Sequence, residues 1–144
     1  MYMDSIFNWE VTLLEPNDYW KDVPSELIHL YHFYNAPIQS EASHKSNPLT
    51  MIKSVANLDD FVSFKLDVDT PTVEIPIALQ ILADPEASSL IDEFFFELHF
   101  QSVLLEGCWG KLPDYESGLR LNLVTALSTF QKFRTLGIRA HFWP

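Results

Sequence analysis

The feature that most limits what this chain can fold into is the position of its glycines. There are four, Gly107, Gly110, Gly118 and Gly137, so the first 106 residues contain none. A phosphate-cradling loop or a dinucleotide fingerprint needs several glycines between a strand and a helix, because only glycine permits the tight turn and the close approach of backbone to phosphate. Neither motif is present in this sequence. The length of 144 residues fits one domain able to bury a core. A hydrophobic content of 47% and an aromatic content of 14% exceed what a disordered acidic segment carries. The expectation is a single folded domain over residues 1–144.

Charge and cysteine usage narrow the partners. Nine Lys and Arg against twenty Asp and Glu give a net charge of -11. That balance argues against nucleic acid, whose binding draws affinity from cationic side chains that displace counterions. An acidic surface suits a basic protein partner, or serves only to keep the chain soluble. Cys108 is the sole cysteine, which excludes an internal disulfide and a cysteine metal cluster. No apolar run approaches the roughly 18 to 20 residues needed to span a bilayer, and the opening MYMDSIF lacks the basic start of a secretory signal. A cytoplasmic protein with no membrane association is expected.

The hydrophobic pattern alternates between strand and helix. Residues 5–14 (SIFNWEVTLL) read as a strand, and residues 15–22 begin a short helix. Residues 27–35 (LIHLYHFYN) read as a second strand, because β-formers and aromatics run into Asn35, Ala36 and Pro37. His29 and His32 then fall on opposite faces, which excludes them as a metal pair. A polar loop at 38–48 leads to a helical turn at 49–57. Residues 61–69 (FVSFKLDVD) give the clearest strand, with Val62, Phe64, Leu66 and Val68 on one face and Ser63, Lys65, Asp67 and Asp69 on the other. A helix follows to about Ala83, capped at Thr70 or Thr72 with Pro71 near its first position, and Pro76 predicts a kink or a later start. Within IDEFFFELHF, at 91–100, lies a strand apolar on both faces, placed beside the central strand 62–68. The last helix presents Leu119, Leu123, Ala126, Leu127 and Phe130 on one face, and Gly137 ends it before a short strand, IRAHFW. Alternation of this kind predicts an α/β fold: a mainly parallel sheet with helices on both faces.

In this order, with Lys65, Leu66, Asp67, Val68 and Asp69 closing one strand and Glu97, Leu98 and His99 closing the next, the chain resembles FkbM-type methyltransferases from their second strand onward. In that family a Lys-hydrophobic-Asp-hydrophobic-acid run ends the fourth strand, and Glu-hydrophobic-His commonly ends the fifth. Where the family continues with Gly, a small residue and Glu, this chain has Thr70, Pro71 and Thr72, with Glu74 displaced. The resemblance implies a truncated Rossmann-like, class I methyltransferase fold, incomplete at its N-terminus because the first strand and glycine loop are missing. It implies S-adenosylmethionine as cofactor, and O-methyl transfer to a small or glycan-like substrate. It places the ribose-binding acid at Glu10 or Glu15: spacing to Asn35 favours Glu10, and the adjacent Pro16 and Asn17 favour Glu15.

The candidate catalytic residues are Asp67, Asp69 and His99. Asp67 and Asp69 lie on one strand face with α-carbons roughly 7 Å apart, able to hold a ligand at the strand's carboxyl edge. Their plainer roles are pairing with Lys65 for Asp67 and capping the next helix for Asp69. His99 shares its strand face with Glu97 and can act as a general base near neutral pH, or as a hydrogen-bonded core histidine. Two other functions compete with methyl transfer. One is a metal-dependent nucleotide-sugar transferase using Asp67 and Asp69 as a DxD pair. The other is a non-catalytic acidic protein that inhibits a basic partner. Adjacent parallel strands should bring Asp67, Asp69 and His99 together, and a strand edge left unpaired would allow self-association.

Overall fold

The computed structural model describes residues 3–99 and 122–143. The fold is mixed α/β, with two small parallel sheets and helices. The chain divides into two compact units, Met1–Gln39 and Ser40–Pro144.

In the first unit, β1 (Ile6–Trp9) pairs in parallel with β2 (Tyr31–Tyr34), joined through α1 (Pro16–Trp20) and a single 3-10 turn at Ile28–Leu30. Both strands are shorter than the expected 5–14 and 27–35. β1 stops where side chains take over from the ladder: Glu10 Oε1 accepts from the Thr12 amide at 2.7 Å, and the Asn35 amide group donates to the Glu10 and Thr12 carbonyls at 2.8 and 2.7 Å. These bonds satisfy backbone groups that would otherwise need a neighbouring strand. Aromatic pairs hold the unit together, with Phe7 stacked on His32 and Tyr19 stacked on Phe33.

In the second unit, β3 (Ser63–Leu66), β4 (Glu93–Phe96) and β5 (Arg139–Phe142) form a parallel sheet in the order β3-β4-β5. The parallel step from β3 to β4 needs a crossover, supplied by α3 (Pro71–Ala83) and α4 (Pro85–Leu90). α2 (Pro48–Val55) precedes the sheet and α5 (Leu123–Thr135) leads into β5. Each of α1 to α4 begins with a proline in its first turn, where the missing N–H has no partner to lose. α3 starts at Pro71 and runs past Pro76 without a later start. Gly137 ends α5 at φ +92, a left-handed conformation that glycine adopts without strain.

The central strand is β4, not the segment 62–68. Phe94, Phe95 and Phe96 make β4 apolar on both faces, as a strand with neighbours on both sides requires, whereas β3 alternates with the exposed Ser63 and Lys65. One sheet face carries Leu66, Phe94, Phe96 and Ala140, all buried, with Phe133 of α5 packed edge-on to Phe94 at 5.0 Å. The buried stripe of α5 is Ala126, Phe130 and Phe133, spaced i, i+4, i+7. Leu123 and Leu127, expected on that face, are 51% and 63% exposed. At 100° per residue Leu127 points roughly 90° away from the centre of the stripe. Leu119, Phe100, Cys108 and the three earlier glycines lie outside the described residues.

Candidate functional site

Continuing the registers of β3 and β4 by one residue sets Asp67 beside Glu97, just past the carboxyl ends of both strands, and the Glu97 amide still donates to the Leu66 carbonyl at 3.2 Å. The chain then turns sharply at Asp69, whose φ of 51° lies in the left-handed region that Asp and Asn enter more readily than most residues. Asp69 thereby stays at the sheet edge, and Thr70, not Asp69, occupies the N-cap position of α3.

One oxygen each from Asp69 and Glu97 and a ring nitrogen of His99 lie within 4.8 Å of one another. His99 Nε2 stands 3.6 Å from Glu97 Oε1, and the two side chains are only 10% and 13% exposed. Asp67 belongs to the same corner but is turned to Lys65, whose ammonium is 2.7 Å from its Oδ2. Lys65 also lies over the Trp143 ring, 4.3 Å from the centroid. The plainer role read for Asp67, a partner to Lys65, is therefore filled, and Asp67 touches Glu97 as well.

Burial pushes the Glu97 carboxyl up to about 7, and its hydrogen bond with Asp67 and the charges of Asp67, Asp69 and Glu74 add to the rise. For Asp67 burial acts in the same direction, but the Lys65 hydrogen bond, the Glu97 hydrogen bond and the charges of Lys65 and His99 together hold it below the usual range. The two carboxyls therefore titrate as a pair, with burial favouring the protonated form of Glu97 and Lys65 the ionised form of Asp67.

Glu74, in the first turn of α3, is 1% exposed. Its Oε1 accepts from the Val68 amide at 2.9 Å, which ties α3 to the end of β3. Burial raises it to about 7, against the pull of the Val68 hydrogen bond and with the help of the Asp67 and Asp69 charges. Sequence reasoning left Glu97 and Glu74 out of the site. The signal for Glu97 was its two-residue spacing from His99; Glu74 enters only because the first turn of α3 folds back over Val68.

Glu10, Glu15 and Asn35 belong to the first unit. Asn35 has its side chain engaged with the segment after β1: its amide nitrogen holds the Glu10 and Thr12 carbonyls and its Oδ1 accepts from the Leu14 amide at 3.0 Å. Glu15 is exposed and starts α1 through its backbone carbonyl, which accepts from Asp18. Glu10 is half-buried at the carboxyl end of β1, with Oε1 on the Thr12 amide. No helix among the described residues is long and apolar enough to cross a membrane. No family model, curated protein or solved structure matches the chain.

Proposed function

We propose that this chain is a methyltransferase-like α/β protein whose proton-accepting groups stand at the carboxyl edge of β3 and β4 and act on a hydroxyl of a small or glycan-like substrate. The observation that supports this reading is the convergence of Asp69, Glu97 and His99 just beyond two adjacent parallel strands, with Asp67 bonded to Glu97. Ligands in open α/β sheets bind at that edge, where strand ends present side chains together.

When bound, S-adenosylmethionine supplies an electrophilic methyl group. A hydroxyl placed against Glu97 and His99 has a proton acceptor within one hydrogen bond, and the acceptor pair is held in place by Lys65 through Asp67. The largely buried side chains of Glu97 and His99 limit competition from water for that proton. Most of the rate enhancement would come from holding the hydroxyl in line, since proximity is the main catalytic contribution in transfers of this kind.

Within the first unit, Glu10 fits a ribose: its Oε1 is oriented by the Thr12 amide, and Oε2 would accept the ribose hydroxyls. Asn35 fits less well because its side chain is engaged with backbone, and the Glu15 carboxylate is exposed with no cap hydrogen bond to orient it. One or two charge-assisted hydrogen bonds contribute about 1.5 to 3 kcal/mol each. Immobilising a flexible cofactor costs on the order of 4 kcal/mol or more. Without a glycine-rich turn in the first 106 residues, binding is therefore weak. Amide resonances of residues 10–14 should shift in millimolar S-adenosylmethionine and cease to do so in Glu10→Gln. Unmoved resonances in the wild-type chain would overturn the cofactor assignment, and stoichiometric micromolar binding would overturn the weakness.

A further inference from the structure

We propose that Asp69, Glu97 and His99 form a binding site for a first-row divalent cation, with two carboxylate oxygens and one imidazole nitrogen as its protein ligands. The donor atoms already lie within 4.8 Å of one another. Cis ligands of a six-coordinate ion with bonds of about 2.1 Å sit roughly 3 Å apart and trans ligands roughly 4.2 Å apart, so small side-chain rotations close the site.

A second, independent observation points to a missing positive charge. Oε2 of Glu97 and Oε2 of Glu74 are buried and have no hydrogen-bond partner among the described residues. Glu74 is wholly buried, and its other oxygen is fixed on the Val68 amide, between Asp67 and Asp69. Four carboxyl groups thus meet at one corner of the sheet. The one ammonium in their ion pairs among the described residues, Lys65, is joined to Asp67. Buried carboxyl oxygens without partners are costly: a cation held by Glu97 compensates that carboxylate directly, and its charge offsets the crowding of Glu74 with Asp67 and Asp69.

The chemistry of the donors selects the ion. Carboxylates favour hard cations and an imidazole brings in manganese, iron and zinc, so manganese suits the mixture. Three protein ligands leave coordination positions open to water or a hydroxyl. This differs from the DxD arrangement, in which Asp67 and Asp69 would share the ion: Asp67 is committed to Lys65 and Glu97, and its place is taken by residues of the next strand. The binding site itself does not depend on methyl transfer. Only the role of the ion, lowering the pKa of an acceptor hydroxyl bound to it, rests on that reading.

Titration of the full chain with Mn2+, followed by electron paramagnetic resonance, tests the site. The expected result is one ion per chain with a Kd below about 1 mM, and at least about tenfold weaker binding in Asp69→Asn. Asp69→Asn keeps the shape and the tolerance of left-handed backbone, so loss of binding reports a ligand and not a fold. Pulsed spectra should show nitrogen coupling from one imidazole, removed in His99→Gln. Absence of bound Mn2+ at millimolar concentration, wild-type affinity in both Asp69→Asn and Glu97→Gln, or bound ion without nitrogen coupling overturns the proposal. Mn2+ bound as expected by a chain that shows no response to S-adenosylmethionine would support the site and count against the transferase reading alone.

Discussion

At the scale of single residues, Glu74 and Asp69 show how the site edge is held against local cost. The Glu74 carboxyl ordinarily titrates near 4.5 and is pushed up to about 7 by burial. Between those values the unfolded chain has released the proton that the folded chain keeps. Stability from this group is therefore fully present below about 4.5 and falls as pH rises to 7, by up to about 3 kcal/mol. Gln has the same shape, keeps an acceptor for the Val68 amide and carries no charge. Glu74→Gln should match the wild type in urea midpoint near pH 4.5 and exceed it near pH 8; an equal difference at both would refute the burial account. Asp69 sits at φ 51 with an exposed side chain, so for stability its identity matters through backbone conformation. Asp69→Asn should leave stability nearly unchanged and Asp69→Val should lower it by about 1 to 3 kcal/mol, read from thermal melts.

Among the elements, α2 depends on one buried residue. Asn47 is wholly buried and caps α2 by accepting from the Leu49 amide at 2.9 Å, while its own amide group donates to Glu41 O and to Gln80 Oε1 of α3 at 3.2 and 3.0 Å. Asn47→Ala removes the cap, worth about 0.5 to 2 kcal/mol, and leaves buried partners unsatisfied at about 1 to 3 kcal/mol. A combined loss of about 2 to 4 kcal/mol is expected by chemical denaturation. Retention of full stability would mean that α2 is held by apolar contact alone. The Asp84 cap of α4 differs: it is partly exposed and paired with Lys53 at 2.8 Å, so its removal should cost less.

For the whole molecule, the net charge of -11 opposes compaction through self-repulsion. Raising NaCl from about 20 mM to about 300 mM shortens the Debye length from roughly 20 Å to under 6 Å, so the melting temperature should rise with salt. A fall would indicate that ion pairs such as Lys65 with Asp67 outweigh the general repulsion. Mn2+ at the β3–β4 edge should raise the melting temperature further, by linkage, because it binds the folded chain.

What the sequence determined by itself was whatever short-range chemistry encodes. Period-two and helical patterns placed the five strands of the described residues and the helices other than α4, with Pro71 marking the start of α3 and Gly137 the end of α5. The same patterns predicted a parallel α/β arrangement and drew attention to Asp67, Asp69 and His99. Strand order was decided only in three dimensions. Alternation in 61–69 records one polar face but not how many neighbours a strand has, and the strand apolar on both faces took the centre. The exposure of Leu123 and Leu127 was also settled by packing, since the sheet covers only one stripe of α5. At the site, adjacency of 67 and 97 follows from register, which no residue near either position specifies. That register set Asp67, paired with Lys65 along its own strand, against Glu97 and brought Glu97 into the cluster with Asp69 and His99, while the first turn of α3 closed Glu74 over Val68. Strand periodicity is local and survives in the sequence, whereas register and burial arise only when distant segments meet.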